Sequence, residues 1–228
     1  MTIDANTPEP RRRKLLPEME GSSARRYAKL RGTGAQLQTS RREAARLAAS
    51  LADGAAVLEV AHGPGYFAVE LAKLGRFDIT ALDVSRTFVL LAAELAARTG
   101  VTVDFQLGDV AAMPFQDGRF DLVICQAAFK NFNRPLTALS EMHRVLRPGG
   151  RAIIQDMSAD ADGGAIRTEV AGMQVGRLSA LMTRAILTGL RRRAYSPQQF
   201  KQLASRSEFG AATVTTEGIG LQVTLVKA

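Results

Sequence analysis

Cysteine and tryptophan are scarce in this chain of 228 residues, which has one cysteine and no tryptophan. The single cysteine, Cys125, has no second thiol to pair with, so a disulfide scaffold and a cysteine-rich zinc site are excluded. Cys125 follows a run of apolar residues, and we expect it to be a small core side chain at the end of a strand. Reduced cysteine is typical of the cytoplasm, which is the location that we predict.

Long apolar runs are absent as well. No uninterrupted run approaches the roughly 18 residues that a membrane-spanning helix needs. Arginines and prolines stand near the N-terminus, where a secretory signal would be apolar. We therefore expect neither a transmembrane segment nor a secretion signal, while peripheral contact with a membrane stays open.

Basic residues outnumber acidic ones, and the formal net charge is +8. The excess is local: residues 177–206 carry seven basic and no acidic side chains, whereas residues 47–176 carry 11 basic and 15 acidic ones. The other basic stretch is residues 1–46. A balance of this kind is compatible with nucleic acid, an anionic membrane or an acidic substrate as partner.

Short apolar runs alternate with helical patterns along most of the chain, which predicts a parallel sheet covered on both faces. Ser40 and Glu43 form a capping-box pattern, and we expect a helix to begin there. Ser85 is expected to cap a later helix. The predicted strands are residues 56–60, 79–82, 101–107, 120–125 and 152–155.

The C-terminal third departs from this alternation. Residues 158–176 are polar and rich in glycine, and an apolar stripe at helical spacing follows. Ser196 opens a capping box, and residues 213–226 are typical of a β-hairpin that turns at Glu217-Gly218. The apolar stripe consists of Leu178, Leu181, Met182, Ala185 and Ile186.

These elements predict an α/β fold: a Rossmann-like, doubly wound, mostly parallel seven-stranded sheet with a C-terminal antiparallel hairpin and a helical lid. Residues 1–20, with the run Arg11–Lys14, are predicted to be a flexible basic arm. One domain is expected over residues 21–228. Its core covers residues 39–157 and 196–228, and its lid covers residues 158–195.

A glycine turn follows the first predicted strand. Gly63 and Gly65 precede Ala68 at the spacing of a dinucleotide-binding fingerprint, and Asp83 lies 20 residues beyond Gly63. Glycine lets a ligand approach the backbone because it has no Cβ. This match is weak evidence by itself.

Further features single out one family. Glu59 lies four residues before Gly63, and Asp109 ends the third strand. The runs Phe120–Ile124 and Arg144–Gly150 frame the last helix of the alternating region. Together they resemble the class I S-adenosylmethionine-dependent methyltransferases, in particular the small-molecule group that includes ubiquinone and menaquinone biosynthesis C-methyltransferases. The resemblance covers residues 57–156.

The resemblance implies S-adenosylmethionine as cofactor and assigns residues to it. Glu59 and the backbone of Ala61, Gly63 and Gly65 would hold its methionine end, and the Gln126 carbonyl would face the ammonium group. Asp83, with Val84 beside it, would bind the ribose, and Asp109, with Val110, would bind the adenine. Tyr27 would belong to a helix that closes over the cofactor.

One position departs from the family pattern, because Ala61 stands where glycine is usual. We expect its methyl group to be tolerated if the backbone there is close to β geometry. The departure leaves open how closely the cofactor approaches.

The implied reaction is methyl transfer to a carbon or oxygen of a small molecule. A general base is needed only if the acceptor carries a proton of high pKa. Asp156 and His62 are the candidate catalytic residues, with His62 more often a packing residue in such a turn. We assign no metal site.

Two alternatives stay open. A nucleic-acid substrate is disfavoured because residues 126–129 lack the Asn/Asp-Pro-Pro-aromatic element that holds a flipped base. A protein that binds S-adenosylmethionine without methyl transfer is the other alternative.

The lid raises a further question about the acceptor. Its apolar stripe, with Met173, could line an apolar acceptor pocket, pack on the core or form a homodimer contact. Arg191, Arg192 and Arg193 follow this stripe, and their charge favours an anionic or membrane-associated acceptor.

Overall fold

Seven strands form one sheet in the computed structural model, which describes residues 19–173 and 176–228. The helices of this described part are α1 (Gly21–Arg31), α2 (Gly34–Ala48), α3 (Tyr66–Ala72), α4 (Arg86–Thr99), α5 (Pro135–Val145), α6 (Gly163–Gly172), α7 (Arg177–Arg191) and α8 (Pro197–Ser205). The strands are β1 (Ala56–Val60), β2 (Asp78–Asp83), β3 (Asp104–Leu107), β4 (Phe120–Gln126), β5 (Leu146–Met157), β6 (Thr213–Glu217) and β7 (Gly220–Val226).

The strand order is β3-β2-β1-β4-β5-β7-β6, which confirms the predicted doubly wound sheet. Strands β1 to β5 run parallel, whereas β7 pairs antiparallel with β5 and with β6. The predicted hairpin therefore completes the sheet. The order reverses between β1 and β4, and open α/β sheets bind ligands in the crevice at the carboxyl ends of the strands at such a point.

Side chains of the central strands alternate between two apolar layers. Val57 packs with residues of α2 and α3, and the next residue, Leu58, packs with residues of α5 and α8. All five residues of β1 are buried, as expected for a parallel strand covered on both faces. Glu59 is the charged residue in this otherwise apolar strand, and it lies next to the strand's carboxyl end.

Glu20, the residue before α1, is anchored on α4, and the extent of the basic arm stays a prediction. Residues 1–18 of that arm, including Arg11–Lys14, lie outside the described residues. Glu20 accepts hydrogen bonds from the N–H groups of Arg86 (2.7 Å) and Thr87 (3.2 Å) at the start of α4. A helix N-terminus leaves such N–H groups free, and a carboxylate satisfies them. Glu20 is thus part of the fold.

Two of the three predicted helix starts are confirmed. Ser85 caps α4 by accepting a hydrogen bond from the N–H of Phe88, and Ser196 forms a complete capping box at α8. The prediction for Ser40 is wrong, because α2 begins at Gly34 and Ser40 lies inside it. The capping-box residues are present in the sequence, but the helix begins six residues before Ser40.

The first part of the lid contains α6, in a polar, glycine-rich stretch where the sequence pattern does not place a particular helix. The helix begins after Asp162, whose side chain accepts a hydrogen bond from the N–H of Ala165. Two strands also differ from expectation: β3 begins at Asp104 and not at residue 101, and β5 is longer than predicted. Within the described ranges, no helix has both the length and the apolarity to cross a membrane. The division into core and lid stays a prediction.

Candidate functional site

Strands β1 and β4 part from each other directly after their last paired residues. Val60 pairs with Cys125, and both are buried. Ala61, the residue after β1, has a φ of 55°, and Ala127, the residue after β4, has a φ of 56°. Left-handed backbone costs a residue with a Cβ about 1–2 kcal/mol. Because backbone strain of this kind clusters at functional sites, these two turns mark the crevice as the candidate site.

Neighbouring strands hold both alanines in this conformation. The N–H of Ala61 donates a hydrogen bond to the Leu82 carbonyl of β2, and the N–H of Ala127 donates one to the Gln155 carbonyl of β5, each at 2.7 Å. The segment after β1 therefore turns toward β2, and the segment after β4 turns toward β5. Ala61 therefore does not have the near-β backbone that was the condition for tolerating its methyl group.

The glycine turn after Ala61 is tight on one side and open on the other. Gly65 has a φ of 77°, and a Cβ there would lie 2.6 Å from the Ala92 Cβ of α4. Gly63 has a φ of 54°, but a Cβ there would meet no described atom within 4 Å. Gly65 therefore packs the turn against α4, whereas Gly63 leaves room for a ligand.

Glu59 is a buried carboxyl group that lacks one partner. One of its oxygens accepts a hydrogen bond from the Ala68 N–H, while Oε2 has no hydrogen-bond partner among the described residues. Burial raises the pKa of Glu59 to about 8, and the nearby Asp83 charge adds to this increase. At neutral pH the side chain is mostly protonated. An unpaired buried polar atom costs free energy, so the site is suited to a hydrogen-bonding or cationic ligand.

Asp83 fixes the glycine turn to β2. Its Oδ2 accepts a hydrogen bond from the Gly63 N–H, and its Oδ1 accepts one from the Ser85 N–H, each at 2.8 Å. Burial raises the pKa of Asp83, although these N–H groups oppose the shift. A carboxylate can accept about four hydrogen bonds. Asp83 therefore keeps capacity for ligand hydroxyl groups, and Val84 beside it is exposed.

Asp109 lies just beyond β3, with its side chain 54% exposed. Its Oδ2 is 3.5 Å from the Arg134 guanidinium, and its Oδ1 accepts a hydrogen bond from the Ala111 N–H. The next residue, Val110, packs partly buried against the core. Arg134 was not predicted, and only its position before α5 could have suggested it.

His62 is buried in the turn between Ala61 and Gly63. Its ring packs on the Phe105 ring with centroids 5.1 Å apart, and neither ring nitrogen has a hydrogen-bond partner of good geometry in the described part. Burial lowers the pKa of His62 to about 4, against a smaller opposing effect of the Gly63 backbone. The imidazole is therefore neutral at physiological pH and a weak base.

Asp156, the other candidate base, belongs to a buried ion pair. Its Oδ1 lies 2.7 Å from the Lys130 Nζ, and both side chains are almost fully buried. The carboxylate also accepts hydrogen bonds from the N–H groups of Lys130 and Met157. Lys130 Nζ donates a second hydrogen bond to the Ala127 carbonyl. The pair thus fastens the turn after β4 to β5, and a role as base would require it to separate.

Helix α1 is attached to the glycine turn. The hydroxyl of Tyr66, the first residue of α3, donates a hydrogen bond of 2.8 Å to the Ala28 carbonyl. Tyr27 packs edge-on against Phe88 of α4, with ring centroids 5.8 Å apart. Sequence reasoning singled out Tyr27 but missed Tyr66, although an aromatic hydroxyl directly after a glycine turn was a visible signal.

The structure therefore brings most of the predicted residues to one edge of the sheet. Gln126 ends β4 on the opposite side of the crevice from Glu59, and its side chain donates a hydrogen bond to the Gln155 side chain at 2.8 Å. The ring of His143, in α5, packs edge-on against the ring of Phe209. No group of three His, Cys, Asp or Glu side chains within the described ranges could hold a metal ion.

Part of the chain matches a known family. Residues 58–154 match the family described as "Methyltransferase domain". The match begins in β1 and ends in β5, so it contains the glycine turn and the carboxyl ends of the first four strands.

Three similar proteins carry related descriptions. Demethylmenaquinone methyltransferase of Deinococcus radiodurans is 36% identical over 47% of this chain and 45% of its own length. Malonyl-[acyl-carrier protein] O-methyltransferase of Erwinia billingiae is 36% identical over 47% of this chain and 41% of its own length. The crystal structure of a SAM-dependent methyltransferase from Aquifex aeolicus superimposes with a TM-score of 0.66 at 19% identity, over 90% of this chain and 98% of that one. The chain spans less than half the length of the two curated relatives.

Replacement of Ala61 by glycine should raise the free energy of unfolding. Glycine adopts a φ of 55° without the cost of about 1–2 kcal/mol, and its greater freedom in the unfolded state removes part of this gain. We expect a net increase of up to about 1 kcal/mol in urea unfolding. Ala56→Gly, within β1, is the matched control and should lower stability by about 0.5–1 kcal/mol. A loss in Ala61→Gly equal to that of the control would show that position 61 is unstrained.

Replacement of Lys130 by methionine should be strongly destabilising, because the Asp156 charge is then buried without its partner. We expect a loss of about 3–5 kcal/mol in urea unfolding, with partial recovery in Lys130→Met/Asp156→Asn. Arg147→Met is the control, because it breaks the more exposed ion pair between Arg147 and Asp121. It should lower the free energy of unfolding by about 1 kcal/mol or less. Equal losses in the two single variants would contradict a structural role for the buried pair.

Proposed function

We propose that this chain, whose residues 58–154 form a class I methyltransferase domain with S-adenosylmethionine as its cofactor, transfers the cofactor's methyl group to a small molecule. The acceptor atom in this proposal is a carbon or an oxygen. The observation that carries the proposal is the set of acidic side chains at the carboxyl ends of three adjacent strands, arranged around the glycine turn.

The residues fit this cofactor. Glu59 offers an unpaired buried oxygen to the ammonium of the methionine end, and Gly63 leaves open space beside the backbone. Asp83 has acceptor capacity left for the ribose hydroxyls. Asp109 is exposed at the end of β3, where it can accept a hydrogen bond from the adenine amine. The Gln126 carbonyl, with Val84, Val110 and Tyr27, completes the proposed set.

The cofactor supplies a methyl group that is already activated by its attachment to a positively charged sulfur. The chain's task is then to hold an acceptor atom in line with the sulfur–carbon bond and to exclude water. Positioning is accordingly the main contribution of the residues at the crevice.

The pairing of Asp156 and the lowered pKa of His62 restrict the chemical class of acceptor that we propose. Asp156 is held by Lys130 and two backbone N–H groups, and His62 is buried with a pKa lowered to about 4. Neither arrangement favours removal of a proton of high pKa. We therefore propose an acceptor that is nucleophilic without help from a strong base, such as an electron-rich ring carbon or a readily ionised hydroxyl. The catalytic roles of Asp156 and His62 stay predictions.

The choice of acceptor lies outside the shared region. The Deinococcus and Erwinia relatives carry names with different acceptors, yet each matches less than half of this chain at similar identity. We propose that the lid, residues 158–195, selects the acceptor. Arg191 donates a hydrogen bond to the Ala161 carbonyl, so it stabilises the lid itself and is unsuitable as a test of acceptor charge. A homodimer and a cytoplasmic location stay predictions.

Calorimetric titration with S-adenosylmethionine tests the proposal directly. Asp109→Ala should weaken binding by roughly 10–100-fold, the value of a hydrogen bond to a charged group. Asp104→Ala removes a carboxylate from the amino end of the same strand and should leave affinity unchanged.

Binding and turnover have separate outcomes in this test. Binding of NAD in place of S-adenosylmethionine would overturn the proposed cofactor site. Binding without a methylated product from phenols, quinols and polyketides would favour a binding protein that does not transfer methyl groups.

The raised pKa of Glu59 predicts that cofactor binding releases a proton at pH 7. A cation placed beside the protonated carboxyl lowers its pKa and favours the ionised form. Affinity should therefore increase as the pH rises toward 8. Titrations in phosphate and in Tris, which differ in ionisation enthalpy, measure the number of protons released.

Glu59→Gln should abolish this release. Glu70 is the matched control: it is also a buried glutamate, but hydrogen bonds from Lys73 and Arg41 outweigh the effect of burial and lower its pKa. Glu70→Gln should therefore leave the release unchanged. Equal binding enthalpies in the two buffers for the unaltered chain would contradict a neutral Glu59.

A further inference from the structure

Helix α7 presents an apolar face to solvent. Its outward side chains are 36–74% exposed, and none of its residues is buried. On a helix of a globular protein, the apolar stripe normally faces the core. The outward apolar residues are Leu178, Leu181, Met182, Ile186 and Leu190.

The inward face of α7 is small and weakly apolar. Ala180 and Leu187 pack against a minor cluster that includes Ile166 and Val170 of α6. Thr183 and Thr188 are also only partly exposed. The helix is thus held to the protein by a few contacts, while its larger side chains point away from the protein.

Cationic side chains surround this apolar face. Residues 177–206 contain seven basic and no acidic side chains. Arg184 and Arg192 are exposed along α7, beside Leu181. An amphipathic helix of arginines and large apolar residues is the usual element that lies in the interface of an anionic bilayer.

We propose that the outward face of α7 binds the surface of a bilayer that contains anionic lipid. The large apolar side chains enter the boundary between headgroups and acyl chains, and the arginines contact lipid phosphates. This inference rests on α7 alone and does not depend on the proposed methyl transfer.

A second copy of the chain fits this face less well. Two copies would bring two clusters of arginines together with no acidic residue in either segment to offset them. The area is also small: a helix of 15 residues is about 22 Å long and roughly 10 Å wide, well below the ~800 Å² that each partner of a stable dimer buries. A bilayer needs no complementary protein surface and supplies the opposite charge.

The position of α7 links a membrane to the crevice. The cluster under α7 includes Met157, the last residue of β5, and Ser158 forms a bridge with Tyr195 just beyond the helix. The bound face would therefore lie on the second helix after the carboxyl end of β5. An apolar acceptor dissolved in the bilayer could reach the site from there.

Sedimentation with lipid vesicles tests the inference on the full chain. We expect at least tenfold stronger binding to vesicles of three parts phosphatidylcholine and one part phosphatidylglycerol than to phosphatidylcholine alone, and a loss of binding at high salt. Equal binding to the two vesicle types, or binding to neither, would overturn the proposal.

Two pairs of variants separate the apolar and the charge contributions. Leu181→Gln/Ile186→Gln should abolish most binding, whereas Leu30→Gln/Leu90→Gln, which alters equally exposed residues of α1 and α4, should not. Arg184→Gln/Arg192→Gln should weaken binding by about 30-fold, since each basic residue near the surface contributes about fivefold. Arg42→Gln/Arg98→Gln is its control.

Sedimentation equilibrium of the same variants decides between a membrane and a second copy. A monomer that binds anionic vesicles through α7 supports the proposal. A dimer that dissociates in Leu181→Gln/Ile186→Gln, together with no vesicle binding, would assign the face to self-association. Unchanged vesicle binding in Leu181→Gln/Ile186→Gln would also contradict the proposal that α7 binds the bilayer.

Discussion

The parting of β1 from β4 determines where every candidate functional side chain lies. Two parallel strands that are paired through Val60 and Cys125 must separate within one residue, and each does so with an alanine in left-handed backbone. The hydrogen bonds of these alanines to β2 and β5 hold the crevice open. Glu59, the glycine turn and Gln126 then lie on its two sides because they are the residues adjacent to these turns.

Two carboxyl groups near this crevice are buried, and the free-energy cost of burying a charge is avoided differently in each. None of the described cationic side chains pairs with Glu59, so burial raises its pKa and the group is mostly neutral. Asp156 has Lys130 as its ion-pair partner, and three further hydrogen bonds join this pair to backbone groups around it. The protonation of Glu59 can therefore change when a ligand binds. The charges of Asp156 and Lys130 are already paired, and their hydrogen bonds hold the backbone in place.

The sheet was predictable because its signal is local. Runs such as Ala56–Val60 are apolar and short, and glycine or a capping serine follows them, so order and type of most elements could be derived. The helix start predicted at Ser40 was wrong because a capping-box pattern can also occur inside a helix. Packing of residues such as Leu47 stabilises α2, and the helix extends beyond Ser40 to Gly34. Helix α6 was missed since its glycines disfavour a helix and its stabilising contacts come from α7 and β5.

The site was predictable in part for the same reason. Acidic residues at strand ends are visible in a sequence once the strands are placed. The partners of these residues are not, because Lys130 meets Asp156 across 26 positions and Tyr66 meets Ala28 across 38. The conformation of Ala61 could not be derived from the sequence either, because φ there depends on a hydrogen bond to β2.

The Lys130–Asp156 pair also limits how the sequence can diverge. Loss of either partner alone strands a charge in the interior, whereas a matched apolar or uncharged pair can be accommodated. Positions 130 and 156 should therefore change together among descendants of this chain, as a covarying pair on neighbouring strand ends. The carbonyl of Ala127 adds a third member to that constraint, because an apolar replacement of Lys130 would remove the hydrogen bond that this carbonyl accepts.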